Sequence, residues 1–296
     1  MTPEISLDKS PTERLQEWFS SHAQSSHAQS SHSQSSHSQS GHVQYAVALS
    51  GGVDSAVVAS AAQRVLGDAS MAFTAVSPSL AAEERQRAQK TARQIGIRHV
   101  EVMTDEHLRA AYRANNSDRC FHCKSTLYET ARSQFGESTV LLNGSNLDDL
   151  GDFRPGMQAA TQFGVQSPLI DCRIDKAGVR GIAQEWDLDV WDKPASPCLS
   201  SRIAYGVEVT PERLAMVERA ERLLASLEFG PHRVRFHAGE LARLEIQAND
   251  FSRLVDPKLR NQLDQQLKEI GFRFVSVELT ELVSGSLNQL VQLGTG

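Results

Sequence analysis

The 296-residue chain lacks what would tie it to a membrane, a polyanion or an oxidising compartment. No run approaches the ~18 consecutive apolar residues that a membrane span needs. There is no excess of positive charge. Thirty Lys plus Arg stand against thirty-six Asp plus Glu, a net charge of −6, which excludes a protein held on nucleic acid mainly by a global basic field but leaves room for a local basic pocket. Four cysteines are too few for a secreted disulfide scaffold. The start, MTPEISLDKSPTERLQEWF, has neither the basic opening nor the apolar core of a signal peptide. A cytosolic protein with reduced thiols is therefore expected. What is present is a globular composition, 40% hydrophobic and 22% charged, in a length suited to about two domains.

Histidine is unevenly spread. Five of the ten lie between His22 and His42. Residues 21–40 read SHAQS-SHAQS-SHSQS-SHSQS and GHVQ follows, so that His22, His27, His32, His37 and His42 are in phase. A tract so poor in apolar residues cannot repay the entropy of ordering. Residues 21–44 are expected to be a disordered linker after a short amphipathic helix at about 11–19, within an N-terminal segment 1–20. A His-rich tract can bind metal. A slippage repeat with no selected role is the plainer reading of its composition.

Globular sequence starts at Tyr45. Short apolar runs at 45–49, 71–76, His99–Met103 and 139–143 read as buried parallel strands, and 56–66, 81–95 and 127–134 as the helices between them. This alternation predicts an α/β fold with an open parallel sheet and helices on both faces over residues 45–205. Beyond about Tyr205 the pattern changes: a helix at 211–227 with Pro211 near its start, strands at Arg233–His237, 242–246 and 272–279, and helical sequence at 250–270. A smaller C-terminal α/β domain is expected over 206–283, with a loose tail at 284–296.

Ligands of open parallel sheets bind at the carboxyl ends of the strands. The first sharp strand-to-helix turn here is Ser50-Gly51-Gly52-Val53-Asp54-Ser55. Two glycines let the backbone approach an anion closely, and the open amides and positive dipole end of the following helix favour phosphate. No Gly-Lys-Ser/Thr follows, so this is not the loop that grips a transferable terminal phosphate. Asp54 beside phosphates calls for a cation, which suggests Mg²⁺. The hexapeptide resembles the signature of the PP-loop family, the N-type ATP pyrophosphatases. The resemblance implies cleavage of ATP to AMP and pyrophosphate, adenylation of a substrate oxygen, and displacement of AMP by a nucleophile. It also implies a fold of the adenine nucleotide alpha hydrolase-like type.

Cys120 and Cys123 stand in DRCFHCK, Cys198 in KPASPCLSSR, and Cys172 alone in IDCR. The CxxC pair reads as half a zinc site lacking its second half, as a redox dithiol, as part of an iron–sulfur site with Cys198, or as a plain reduced pair. Lys193 and Arg202 flank Cys198, and cationic surroundings favour the reactive thiolate. Cys172 is expected to be a core or loop bystander.

SGGVDS, DRCFHCK, NGSN at 143–146 with Asp148 and Asp149, DFRPG at 152–156, SPL at 167–169, PASPCLSSRIAYG, RVRFH at 233–237 and LARLE at 241–245 occur in that order. Together they resemble the LarE family, the ATP-dependent sulfur transferases of nickel-pincer nucleotide synthesis in lactate racemase maturation. The resemblance covers about residues 44–280 and leaves out the His repeat. It implies ATP held by Ser50, Gly51, Gly52, Asp54, Ser55, Gly144 and Asn146, with Mg²⁺ on Asp54. The implied substrate is a pyridinium biscarboxylate mononucleotide, whose carboxylate is adenylated and then attacked by sulfur. In one branch of the family a cysteine matching Cys198 gives up its own sulfur and becomes dehydroalanine. In the other, cysteines matching Cys120, Cys123 and Cys198 hold a [4Fe–4S] cluster that carries a hydrosulfide. All three cysteines are present, and two thiolates beside a sacrificial cysteine would have no obvious task, so the cluster reading is preferred.

Arg233 and Arg235 alternate along one strand, as do Arg243 and Glu245 on the next, so each pair shares a face. Such guanidiniums suit a phosphate or carboxylate. With the resemblance, Ser201, Arg202, Arg233, Arg235 and Glu245 are expected to bind substrate, and a homo-oligomer is implied. A PP-loop tRNA thiolase would use the same adenylation. The acidic balance and the lack of an added RNA-binding module count against it. A metal-handling protein built on the His repeat is the remaining alternative, opposed by the intact SGGVDS.

Overall fold

The computed structural model describes residues 8–30, 44–151, 155–194 and 196–282, leaving aside the side chains of 25–30. In chain order its main elements are α1 (Pro11–Ser30), β1 (Tyr45–Ala48), α2 (Val53–Leu66), β2 (Ser70–Val76), α3 (Ala82–Ile95), β3 (His99–Met103), α4 (Arg119–Phe135), β4 (Val140–Leu142), α5 (Pro155–Gln162), α6 (Lys176–Glu185), α7 (Pro211–Ser226), β5 (Arg233–His237), β6 (Leu241–Glu245), α8 (Pro257–Ile270) and β7 (Phe274–Val277). None of the helices is long and apolar enough to cross a membrane. The repeat from residue 31 on, with His32, His37 and His42, lies outside the described residues, as do Asp152, Phe153 and Arg154 of the DFRPG stretch and the expected tail.

The contacts divide the chain into two compact units. The first holds Met1–Val76, Ala82–Thr104 and Cys123–Ser196, and the second holds Ser77–Ala81, Asp105–His122 and Pro197–Gly296. This differs from the contiguous division at residue 205 expected from sequence. The physical reason lies in Asn115, fully buried with φ 55°, a backbone conformation that asparagine tolerates. Its side-chain amide donates to the carbonyls of Ala204 (2.8 Å) and Val207 (2.9 Å), which ties 105–122 to the C-terminal unit.

The first unit is a four-stranded, wholly parallel sheet in the order β3-β2-β1-β4. β1 is buried along most of its length because helices cover both faces, which is why its sequence, YAVA, shows no polar alternation. α1 is longer than expected. It runs on through the first two repeats, which contain neither Gly nor Pro to stop it. Leu15, Trp18 and Phe19 are fully buried. The His22 ring stacks on Trp18 at 3.8 Å between centroids, and its Nδ1 lies 2.7 Å from the Trp18 carbonyl. The first histidine of the repeat is thus a packing residue. Trp18 donates to Asp171 (3.1 Å), whose carboxyl is raised above the usual range by burial. Next to it Cys172 is fully buried, and burial pushes its thiol up to about 12. It is the bystander that the sequence suggested.

The second unit carries a three-stranded sheet, β5-β6-β7, with β5 and β6 antiparallel and β7 parallel to β6. α7 begins at Pro211 after Thr210, whose hydroxyl accepts from the Arg213 amide (3.3 Å). α8 begins at Pro257 after Asp256, which accepts from the Lys258 amide (3.0 Å). The expected single helical stretch at 250–270 is interrupted by a 3₁₀ turn at Ser252–Val255, since Pro257 cannot continue a helix from its N-terminal side.

Candidate active site

The phosphate loop in the first unit is built by close backbone approach. Gly51 adopts φ +76°, and a Cβ there would meet the Ala88 amide at 3.2 Å and the Glu84 carbonyl at 3.3 Å. Ser55 Oγ donates to the Gly52 carbonyl (3.1 Å) and lies 3.2 Å from Ser50 Oγ, so the two serines brace the turn. Gly144, just after β4, fits because it has no side chain: a Cβ would stand 2.6 Å from the Ser55 nitrogen. Asn146 follows and donates from Nδ2 to Asp54 Oδ1 (3.0 Å). Asn146 is itself fixed, its amide donating to Asp149 Oδ2 (3.0 Å) and its Oδ1 accepting from the Asp148 amide (3.0 Å). All the expected nucleotide residues of this unit therefore meet at one place.

Two lysines complete it. Lys176 Nζ lies 2.5 Å from Asp54 Oδ2. Lys193 Nζ donates to the Gly51 carbonyl (3.1 Å) and pairs with Glu84 at 2.5 Å. Burial lowers the Lys193 amine, with Glu84 working against that shift. Lys176 places one cation on Asp54, the residue expected to hold Mg²⁺. Among the described residues no three His, Cys, Asp or Glu side chains gather so as to hold a metal ion. Asp54 as placed is the salt-bridge partner of Lys176.

In the second unit Cys198 is exposed at the head of the 3₁₀ turn Leu199–Arg202. Its carbonyl accepts from the Ser201 hydroxyl (2.7 Å), and the Leu199 amide donates to the Ser79 carbonyl (3.0 Å). Ser79 is in turn held by buried Glu106, which accepts its hydroxyl proton at 3.1 Å and that of Ser77 as well. Ser200 Oγ meets Tyr112 OH at 2.5 Å, and the Ser200 carbonyl accepts from Arg119 (2.8 Å). Cys198 thus sits on a turn whose neighbours are fixed on both sides. Cys120 and Cys123 lie one turn apart on α4, the first exposed and the second half-buried. The cluster reading needs these two and Cys198 as one seat. Cys120 and Cys198 belong to the second unit and Cys123 to the first.

The arginines differ from expectation. Arg202 spends its donors on Glu221 (3.0 Å) and the Pro197 carbonyl (2.6 Å), so it shapes the cysteine turn. Arg235 is 3% exposed, paired with Glu245 at 2.9 Å and donating to the Ser201 carbonyl (2.9 Å). Arg243 pairs with the same Glu245 at 3.2 Å. The register sets Arg235 opposite Arg243 and Arg233 opposite Glu245, which is why the shared face is an internal ion-pair network. Arg233 is half-buried, and its guanidinium is pushed down by burial and by Arg202 and Arg235.

An asparagine synthase family model matches residues 32–132. An uncharacterised protein of Synechocystis is 44% identical over 83% of this chain and 92% of its own length. The pyridinium-3,5-bisthiocarboxylic acid mononucleotide synthase of Lactiplantibacillus plantarum is 34% identical over 82% of this chain and 88% of its own. The chain belongs to the LarE family. An uncharacterised Methanocaldococcus jannaschii protein is 31% identical over 56% of the chain and 64% of its own length. As a LarE-family protein the chain is a sulfurtransferase that uses ATP through a PP-loop domain.

In this LarE-family protein sequence reasoning missed residues of both units. Lys176 lies 122 positions from Asp54, and nothing in its neighbourhood marks it. Glu106 and its serines likewise carry no local signature. Arg119 was legible in part, since it directly precedes Cys120.

Proposed function

We propose that this protein activates a carboxylate of a pyridinium-3,5-dicarboxylic acid mononucleotide with ATP and converts it to a thiocarboxylate, with Cys198 as the essential thiol. The observation that carries the reading is the match to the L. plantarum synthase across 88% of that protein, in a chain whose phosphate loop is closed by Gly144 and Asn146.

The chemistry follows from what a carboxylate lacks. It is inert to a thiolate until one oxygen becomes a leaving group. A carboxylate oxygen attacks the α-phosphorus of ATP, pyrophosphate departs, and an acyl adenylate remains. The glycine turn and the start of α2 orient the phosphates, and Lys176 and Lys193 offset their charge. The Cys198 thiolate attacks the acyl carbon and AMP leaves, giving a thioester. A proton then passes from Cys198 Cα to solvent, the Cβ–S bond breaks, and the thiocarboxylate departs with the sulfur. Dehydroalanine remains at 198. Mg²⁺ on Asp54 would add charge on the phosphates, and these steps use only the side chains named.

The test is intact-protein mass after incubation with ATP and the dicarboxylate, together with assays for AMP and thiocarboxylate. Loss of one H₂S from Cys198, with one thiocarboxylate formed per chain, is the expected result. Unchanged mass with many turnovers on added sulfide would overturn the use of Cys198's own sulfur. No AMP with any pyridinium carboxylate would sink the functional reading as a whole.

A further inference from the structure

Arg119 is 6% exposed, the first residue of α4 and next to Cys120. Its Nη1 donates to Asn115 Oδ1 (2.5 Å) and to the Ser200 carbonyl (2.8 Å). Among the described residues no carboxylate pairs with it, and no acceptor stands on its Nε or Nη2. A buried guanidinium without a carboxylate is costly, so such a group is a strong receptor for an anion from outside. Burial opposes its charge, yet Cys198, Cys120, Tyr112 and Tyr205 raise it above the ordinary arginine value. The Tyr205 ring also lies beneath the guanidinium at 6.0 Å. The other arginines of this turn are committed, Arg202 to Glu221 and Arg235 to Glu245.

We propose that the open Nε–Nη2 edge of Arg119 seats the carboxylate of the substrate that is not being activated, making this arginine the residue that selects a dicarboxylate over a monocarboxylate. Two parallel N–H donors match the two oxygens of a carboxylate, and the ring contact with Tyr205 keeps the fork in plane. Arg119 is fixed on the Ser200 carbonyl, two residues after Cys198, so the carboxylate it holds is in register with the cysteine turn. The inference rests on the function proposed above and names the group that reads its substrate.

The test compares the wild-type protein with Arg119→Met and Arg119→Lys. The substrates are pyridinium-3,5-dicarboxylate mononucleotide and the 3-monocarboxylate mononucleotide, and the readouts are kcat and KM of AMP formation. Wild type should prefer the dicarboxylate by about 10- to 100-fold in kcat/KM, the range of a charge-assisted pair. Arg119→Met should lose that preference, with the rise in KM for the dicarboxylate exceeding any rise for the monocarboxylate by about 10-fold or more. Arg119→Lys, which keeps the charge but not the fork, should fall between, and it carries the test if Arg119→Met does not fold. A preference retained in the folded variants would overturn the proposal. So would slowed alkylation of Cys198 with the preference intact, since Arg119 would then serve the sulfur. Wild type inactive on both compounds would overturn the functional reading and this inference together, whereas wild type active on both without preference would overturn the inference alone.

Discussion

The phosphate loop of the first unit and the cysteine turn of the second handle charge in opposite ways. In the loop every charged group has found a partner within the protein: Asp54 has Lys176, and Lys193 has Glu84. The Asp54–Lys176 pair is partly exposed, so exchanging its partner for a nucleotide phosphate costs little. At the cysteine turn the guanidinium of Arg119 is buried, and among the described residues no carboxylate pairs with it. A self-compensated site suits a ligand that brings its own counter-ions and leaves in pieces. An uncompensated one suits a ligand whose charge it must recognise.

The sharpest way to break this comparison is at sulfur. Cys198→Ser should abolish thiocarboxylate formation outright while AMP formation from ATP and substrate survives. Separate assays for AMP and thiocarboxylate check it, and loss of both would mean that Cys198 also serves adenylation. Next comes Gly144→Ala. The new methyl would sit 2.6 Å from the Ser55 nitrogen and 2.9 Å from its Cα, both backbone atoms that cannot swing away. Overpacking of this kind costs about 1–3 kcal/mol or more. A shifted Ser55 should also cut pyrophosphate exchange by ~100-fold or more, the size of a misplacement near reacting atoms. A denaturation midpoint and an exchange assay read the two effects separately.

Arg235 tests whether the ion-pair network is structural. Arg235→Met removes one of the guanidiniums paired with buried Glu245, and breaking a buried pair costs about 3–5 kcal/mol. A denaturant midpoint lowered to that extent, with substrate KM unchanged in the folded fraction, is expected. An unchanged midpoint with a raised KM would return Arg235 to the substrate.

Much of this was legible in the sequence, unevenly. His99–Met103 and Arg233–His237 are strands with the predicted bounds, because period and composition act over a few neighbours. The phosphate loop was legible for the same reason, being six contiguous residues. The division into units was not, because it hangs on Asn115 reaching carbonyls some ninety residues on. The roles of Arg235 and Lys176 were hidden likewise. The alternation of arginines on β5 showed that they share a face, but only the register with β6 reveals that Glu245 occupies it. Helix α1 outran its expected end because an aromatic contact, His22 on Trp18, outweighs the polar composition of the repeat.

The loop's self-compensation predicts a smaller effect at Lys176. The Asp54–Lys176 pair is part-exposed, with side-chain accessibilities of 23% and 35%. After solvent screening, Lys176→Met should change stability by no more than about 1 kcal/mol. If the lysine passes from Asp54 to the phosphates, kcat/KM for ATP should still fall about tenfold or more. Equal losses in an Asp54→Asn, Lys176→Met cycle would instead mark the pair as a fixed strut.

The weakest effect, and the one that best separates the four cysteines, concerns Cys172. Its thiol is held near 12 by burial, against an ordinary value of 9.0. At neutral pH it should resist iodoacetamide in the native protein and react only after unfolding, while exposed Cys120 and Cys198 are alkylated at once. The buried thiol is neutral in both folded and unfolded chains below pH 9, so its share of stability is complete there. Between pH 9 and 12 the unfolded chain sheds the proton while the folded one keeps it, and stability falls as pH rises. Cys172→Ala removes that alkaline loss, at a cost at neutral pH set only by the small cavity left beside the Arg14 carbonyl. Urea midpoints from pH 7 to 11 should therefore decline less steeply for the variant than for the wild type. Parallel declines would mean that Cys172 takes on water and is not the sealed core thiol that distinguishes it from Cys198.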